Sequence, residues 1–150
     1  MIYERARTVL DAVVTGFAVD GVALPERQYV ANGAVAADCE QLVVQVARIF
    51  RGLPGGTEGG TSPCHGPVSM DVDVHLLRCV PTIEGEGEDV SLPSAVELEA
   101  SGEELLRDAE ILRRSIKPLV DCRSIVLGNL VPYGPEGGLG GWTYRLVVQI

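Results

Sequence analysis

The stretch VSMDVDVHLLRCV, residues 68–80, decides the fold because its polar and apolar side chains alternate. Successive side chains of an extended strand point to opposite faces, so alternate residues share one face. One face is then mainly polar and the other mainly apolar: Asp71, Asp73, His75, Leu77 and Cys79 against Val72, Val74, Leu76 and Arg78. We predict a strand here, ended by Pro81, with only its apolar face in the core.

The preceding stretch CEQLVVQVARIF, residues 39–50, is predicted to be its antiparallel partner in a long β-hairpin. Its β-branched content favours a strand over a helix. Between the two strands lies Arg51–Gly66, with six glycines and two prolines. A segment of that composition predicts a long loop, and loops of this length in compact domains are usually functional or disordered.

Two helices flank the hairpin. Residues 2–17 repeat apolar side chains every three or four positions, which predicts an amphipathic helix. The second helix starts at Ser94 or Ser101, and Ser101 with Glu104 fits a capping box. Pro118 ends it, because proline has no N–H to donate to the preceding turn.

The rest of the chain completes the sheet. Residues 22–35 are predicted to form an irregular connection with a turn at Asn32–Gly33. Strands at 124–131 and 142–150, joined by a loop at 132–141, close the sequence as a second hairpin. The predicted fold is a single α+β domain, residues 1–150, in the order α-β-β-α-β-β. It has two layers, with two helices on one face of a mixed or antiparallel four-stranded sheet.

The amino-acid composition excludes several classes of protein. The 150 residues include 12 Lys and Arg against 21 Asp and Glu, a net charge of −9. That charge opposes sequence-independent binding to DNA, which depends on basic side chains at the phosphates. The 46% hydrophobic content rules out a disordered chain. Neither a membrane span nor a secretion signal is recognisable, so we expect a soluble protein made in a cytoplasm.

The four cysteines carry no metal signature. Cys39, Cys64, Cys79 and Cys122 form no CxxC or CxxH pair. In the absence of a secretory context, we expect four buried or half-buried thiols.

One cluster invites a metal site. Asp71, Asp73 and His75, with Cys79, would share one strand face, and carboxylates and imidazole are credible ligands for a divalent ion. However, alternate side chains on one straight strand lie about 7 Å apart and cannot converge on one ion without help from other elements. A small metal-dependent enzyme therefore remains an alternative. A solvated acidic face with His75 as an ordinary surface residue is favoured.

Other catalytic patterns are missing from the sequence. The glycines of GGLGG, residues 137–141, have no following Lys-Ser/Thr and precede a predicted strand, unlike a phosphate-binding loop. No Gly-x-Ser-x-Gly motif is present. We expect neither enzymatic activity nor a cofactor.

The order of the elements and the last stretch of the chain resemble a known family. The hairpin of residues 39–50 and 70–81 lies between an N-terminal helix and the acidic helix ELEASGEELLRDAEILRRSIKPLV. The chain then closes with Gly134-Pro135-Glu136-Gly137-Gly138 and a final strand. In these features, over nearly its whole length, the chain resembles the tail terminator proteins of long-tailed phages, particularly phages of actinobacteria.

The resemblance implies a structural protein of the virion. Such a subunit forms a hexameric ring on the tail tube, stops polymerisation of the major tail tube protein and binds the head-completion (stopper) protein. The family implies no catalytic residues and no cofactor. Another head–tail connector or neck ring protein would fit the sequence almost equally well.

In such a ring, each surface has an expected role. We expect Asp71, Asp73 and His75 to line the central channel, where carboxylates would keep the passing DNA from binding. The glycine-rich loops at 52–66 and 132–141 are expected to contact the tube or the stopper protein. Candidate contact residues in these loops are Leu53, Pro54, Glu58, Pro132, Tyr133, Glu136 and Leu139.

Overall fold

A computed structural model describes residues 1–36, 38–53, 66–85, 89–120 and 124–150. It contains a five-stranded sheet with two helices packed on one face. The elements in chain order are α1 (Ile2–Asp20), β1 (Arg27–Asn32), β2 (Gln41–Arg51), β3 (Val68–Cys79), α2 (Ala95–Ile116), a short 3₁₀ helix (Lys117–Leu119), β4 (Ile125–Glu136) and β5 (Leu139–Gln149).

The strand order across the sheet is β1-β2-β3-β5-β4. All neighbouring pairs are antiparallel except β1 and β2, which are parallel. The α+β class is confirmed, but the prediction of four strands in the order α-β-β-α-β-β is wrong because it omits β1. This strand has only six residues between Pro25 and Gly33, and its burial does not alternate. Its register therefore depends on contact with β2, a feature that local sequence does not encode.

The core lies between the helices and the apolar face of the sheet. The even-numbered residues of β3 from Met70 to Leu76 are fully buried there, as the alternation predicts. In β2 the alternation changes phase at a bulge between Val46 and Arg48. A regular alternation from Leu42 would place Phe50 on the core face of the sheet. Because of the bulge, Phe50 instead pairs with Ser69 and lies on the face away from the helices.

The two helices cross closely because Gly16 of α1 has no side chain. A Cβ atom at this position would overlap the side chain of Ser115 on α2. Gly16 therefore allows the helix backbones to approach each other more closely than a larger residue would.

Helix α2 begins at the earlier of the two predicted positions. The Ser94 hydroxyl accepts a hydrogen bond from the Glu97 amide, and the Glu97 carboxylate accepts one from the Ser94 amide. These bonds form the capping box, and the hydrogen bond from the Ser94 backbone lowers the pKa of Glu97. The box predicted at Ser101 and Glu104 is wrong, because both residues lie inside the helix.

A buried ion pair fastens α2 to the sheet. The Arg78 guanidinium donates two hydrogen bonds to the Asp108 carboxylate, at 2.8 and 3.0 Å, and a third to the Ala23 carbonyl. Burial lowers the pKa of Arg78, but the hydrogen bonds and charge of Asp108 outweigh it and raise the pKa. The Trp142 indole N–H also donates to the Leu105 carbonyl of α2, at 2.6 Å.

The last hairpin is tighter than predicted. The expected loop at 132–141 is wrong: β4 continues to Glu136, β5 begins at Leu139, and only Gly137 and Gly138 form the turn. Both glycines have positive φ, at 58° and 79°, as two-residue hairpin turns require.

Two of the cysteines are paired. Cys39, just before β2, and Cys79, at the end of β3, form a disulfide with their Cα atoms 5.2 Å apart. Both residues are exposed, so the expectation of buried thiols is wrong for this pair. Cys64 and Cys122 lie outside the described residues.

Within the described part of the chain, no helix is both long enough and apolar enough to span a lipid bilayer.

Candidate functional site

The face of the sheet opposite the helices, called the open face below, carries the three residues singled out in β3. Asp71 pairs across the sheet with Arg48, Asp73 with Gln45 and Arg145, and His75 with Val43 and Thr143. The prediction that Asp71, Asp73 and His75 share one face is confirmed. Their neighbours on β2 and β5 determine the chemistry of this face.

Asp73 is buried in a two-point ion pair. The Arg145 guanidinium donates one hydrogen bond to each carboxylate oxygen, at 2.8 and 2.9 Å. The Asp73 side chain is only 8% exposed, whereas that of Arg145 is 60% exposed. The hydrogen bond with Asp73 raises the pKa of Arg145. Asp73 therefore presents almost no free carboxylate to solvent.

Asp71 is also ion-paired, with an arginine of β2 that contacts one of its carboxylate oxygens, Oδ2. Arg48 of β2 approaches the Asp71 carboxylate to 2.7 Å, and the Asp71 side chain is 14% exposed. The Arg48 guanidinium also lies over the Phe50 ring, 5.0 Å from its centroid. The aromatic ring and the carboxylate together orient the cation.

His75 bridges β2 and β5. Its Nε2 lies 2.8 Å from Gln45 Oε1, and its Nδ1 lies 2.9 Å from the Thr143 hydroxyl. The Gln45 amide nitrogen donates to the Gly33 carbonyl, so Gln45 Oε1 accepts a hydrogen bond from the N–H of His75 Nε2. Burial lowers the pKa of His75, Asp73 raises it and Arg145 lowers it, with a net decrease. A neutral imidazole satisfies all of these hydrogen bonds.

These contacts correct the expected character of the face. An acidic surface with freely solvated carboxylates and His75 as an ordinary surface residue is wrong, since both aspartates are ion-paired and His75 is half-buried. The same side chains do not form a set of metal ligands. In the described ranges, no group of three or more His, Cys, Asp or Glu residues is arranged to hold a metal ion.

The predicted partner-contacting residues fall in different environments. Leu53 is 54% exposed at the end of β2, while Pro54 and Glu58 lie outside the described residues. Pro132 and Glu136 are exposed on β4, and Tyr133 is half-buried. Leu139 was expected in a contact loop, but this is wrong: it is 6% exposed and begins β5.

Near this hairpin lies an apolar groove that the sequence analysis did not identify. The groove has a volume of about 770 Å³ and runs between the β3–α2 connection, the first turns of α2 and the Gly137–Gly138 turn. Its walls are formed by Pro81, Thr82, Ile83, Leu92, Pro93, Leu98, Pro135, Gly137 and Gly138. The large side chains among them are exposed: Leu92 is 70% exposed, Ile83 64% and Leu98 52%.

Backbone hydrogen bonds hold the groove in shape. The Val80 amide donates to the Gly138 carbonyl at 2.9 Å, which ties the end of β3 to the hairpin turn. Glu84 and Ser91 exchange two hydrogen bonds, which bring the two ends of the β3–α2 connection together. A second, smaller cavity continues the groove along α2 towards Pro132 and Trp142.

Comparison of the chain with protein-family models and with curated protein sequences finds no match.

Sequence reasoning missed both the arginine partners and the groove. Arg48 and Arg145 lie 23 and 72 residues from the aspartates they bind, so the pairs exist only once the sheet forms. For the groove the sequence contains only a weak indication, which is the presence of the apolar residues Ile83, Leu92 and Leu98 within an acidic stretch.

Proposed function

We propose that this chain is a tail terminator of a long-tailed phage, a virion protein made in the host cytoplasm. Six copies form a ring on the tail tube, stop growth of the major tail tube protein and bind the head-completion (stopper) protein. The observation that carries this proposal is a core closed by the two helices, combined with two surfaces of different character, the polar open face and the apolar groove. A subunit that contacts several proteins and encircles DNA needs surfaces of both kinds.

The open face suits the channel wall. DNA phosphates bind basic side chains that are free to exchange counterions. Here Arg48 and Arg145 are each held by an aspartate, so the face is polar and its charges are paired. Such a wall lets a polyanion slide past without a strong attraction to any one point.

The apolar groove suits a protein contact. Exposed apolar residues that are grouped, rather than scattered, mark interaction surfaces. Of the exposed large apolar residues in the described ranges, five lie close together in sequence: Ile83, Val90, Leu92, Val96 and Leu98. Pro132 and Tyr133, expected from the sequence to contact a partner, line the adjoining cavity.

Tube growth in the presence of the purified chain tests the proposal. A major tail tube protein from the same genome is polymerised with and without the chain, and tube lengths are measured by electron microscopy. We expect tubes to stop growing and to carry a ring whose mass is six times 15.9 kDa. Tubes that elongate unchanged, with the chain left in solution as a monomer, would refute the terminator function. A ring that binds tubes or heads without arresting growth would instead indicate another neck protein.

A charge-exchange variant tests the channel wall. Arg145→Asp with Asp73→Arg retains the ion pair, whereas Asp73→Asn with Arg145 intact leaves a guanidinium without its carboxylate. In phage carrying these variants, we expect DNA ejection to slow only in Asp73→Asn. Equal ejection by both variants and wild type would remove the open face from the channel.

A further inference from the structure

The net charge of the sequence is concentrated in the stretch that contains most of the groove residues, although Glu86 and Glu88 of that stretch lie outside the described residues. Eight of the 21 acidic residues and none of the 12 basic residues lie between Arg78 and Arg107. The rest of the chain carries 13 acidic and 12 basic residues and is nearly neutral. Almost the whole net charge of −9 therefore belongs to the stretch that forms one wall of the groove and the start of α2.

Acidic residues lie along one side of the apolar floor and are called the acidic rim below. Glu84 and Glu97 line a cavity that shares Leu92 and Pro93 with the groove. Glu99 and Glu103 follow on exposed turns of α2. An apolar centre with a charged rim is the common arrangement of a protein interface, and here the rim has one sign.

From this arrangement we propose that the groove binds a segment of another protein that carries apolar side chains flanked by Lys and Arg. The apolar side chains enter between Leu92, Leu98 and Pro135, and the basic side chains reach the acidic rim. Nucleic acid and anionic lipid surfaces are repelled by the same rim, because their phosphates carry its charge.

A second copy of the chain is a poorer occupant. Residues outside the acidic stretch are almost balanced in charge, and Arg48, Arg78 and Arg145 are already ion-paired. The cleft between α1 and α2 is also mixed in sign, with Asp11, Asp20 and Arg114 in its walls. Arg113 on α2 and Lys117 just after it are exposed, but each copy also carries its own acidic rim, and copies with a net charge of −9 repel each other. A different protein with excess basic charge therefore matches the rim better than a second copy does.

The groove is built before its partner arrives. The Val80–Gly138 and Glu84–Ser91 hydrogen bonds fix its two walls, and the Ser94–Glu97 capping box fixes the start of α2. A preorganised backbone avoids the cost of ordering that part of the site on binding. This inference does not depend on the tail terminator proposal, since it follows from the chemistry of the groove alone.

Binding of a defined peptide tests the inference. The probe is a short fluorescent peptide made of Lys and Leu, compared with a Lys and Ser peptide of equal charge and a Glu and Leu peptide of equal apolar content. We expect only the Lys and Leu peptide to bind in fluorescence anisotropy, and to bind more weakly as salt screens the charges. Equal binding of the Lys and Ser peptide would overturn the inference, because charge alone would explain it.

Paired variants locate the binding site. Leu92→Gln with Leu98→Gln should weaken binding about tenfold or more, because two apolar anchors are lost. Glu84→Gln with Glu99→Gln should remove much of the salt dependence. The matched control, Val19→Gln, changes a side chain that is 81% exposed on α1 and should leave binding unchanged. Two results would refute a basic partner that differs from this chain. One is loss of peptide binding in the Val19→Gln control, and the other is a wild-type dimer that the leucine variants abolish. Neither result bears on tube length, so the two proposals fail separately.

Discussion

The buried pair Arg78–Asp108 gives a quantitative test of how α2 is held on the sheet. The two side chains are 6% and 1% exposed and share hydrogen bonds of 2.8 and 3.0 Å. Removing one partner leaves the other charge buried without compensation, which typically costs about 3–5 kcal/mol. We therefore expect Arg78→Met and Asp108→Leu each to lower the free energy of unfolding by that amount.

The double variant distinguishes pairing from simple packing. Once both charges are gone, their desolvation cost is gone as well, and apolar replacements of a buried pair are often neutral or stabilising. The Ala23 carbonyl still loses its donor, at a cost of about 1 kcal/mol. The double variant should thus lie within about 1 kcal/mol of the wild type.

Urea unfolding followed by circular dichroism measures these differences. Arg7→Met is the matched control, since Arg7 and Asp11 form an exposed pair one helical turn apart, and its loss should cost about 0.3–0.5 kcal/mol. Single variants that cost no more than this control, or a double variant that costs the sum of both singles, would refute the reasoning.

Three further predictions concern the rest of the fold. Because the pKa of His75 is lowered from 6.5, unfolding free energy should fall as pH drops below that value, and this part of the pH dependence should vanish in His75→Gln. Gly16→Ala should lower the melting temperature, because the new Cβ atom would overlap the Ser115 side chain. Ser115→Gly in the same chain should restore the melting temperature. Failure of this rescue would contradict the close helix crossing. A reductant breaks the Cys39–Cys79 disulfide and should lower the free energy of unfolding by about 2–4 kcal/mol. The same reductant should not change the stability of a double variant with Cys39→Ser and Cys79→Ser.

Local periodicity was enough to predict β2, β3 and both helices. In β3 the alternation also predicted correctly that Met70, Val72, Val74 and Leu76 enter the core beneath the helices. Leu77, predicted on the polar face, is only 3% exposed, which the alternation did not predict. Helix α1 has the predicted apolar stripe but extends beyond the predicted last residue, 17, to Asp20. It ends there because Gly21 adopts a left-handed conformation.

The remaining features depend on contacts between distant residues. The short parallel strand β1 and the extension of β4 to Glu136 are stabilised by pairing with neighbouring strands. The ionic character of the open face was predicted from Asp71 and Asp73 alone, without their arginines. For the same reason the prediction that Asp71, Asp73 and His75 share one face is confirmed, but the predicted charge of that face is wrong.

The edge strand β4 limits how copies of the chain can assemble. Pro132 and Pro135 have no N–H to offer, and its register with β5 shifts twice, after Leu127 and after Tyr133. These features oppose regular pairing between this part of β4 and a strand of a neighbouring molecule. They therefore also protect the protein from edge-to-edge aggregation into fibres. An assembly that used this edge would instead join β4 to its neighbour through side chains, so its geometry could be changed one residue at a time without altering the sheet.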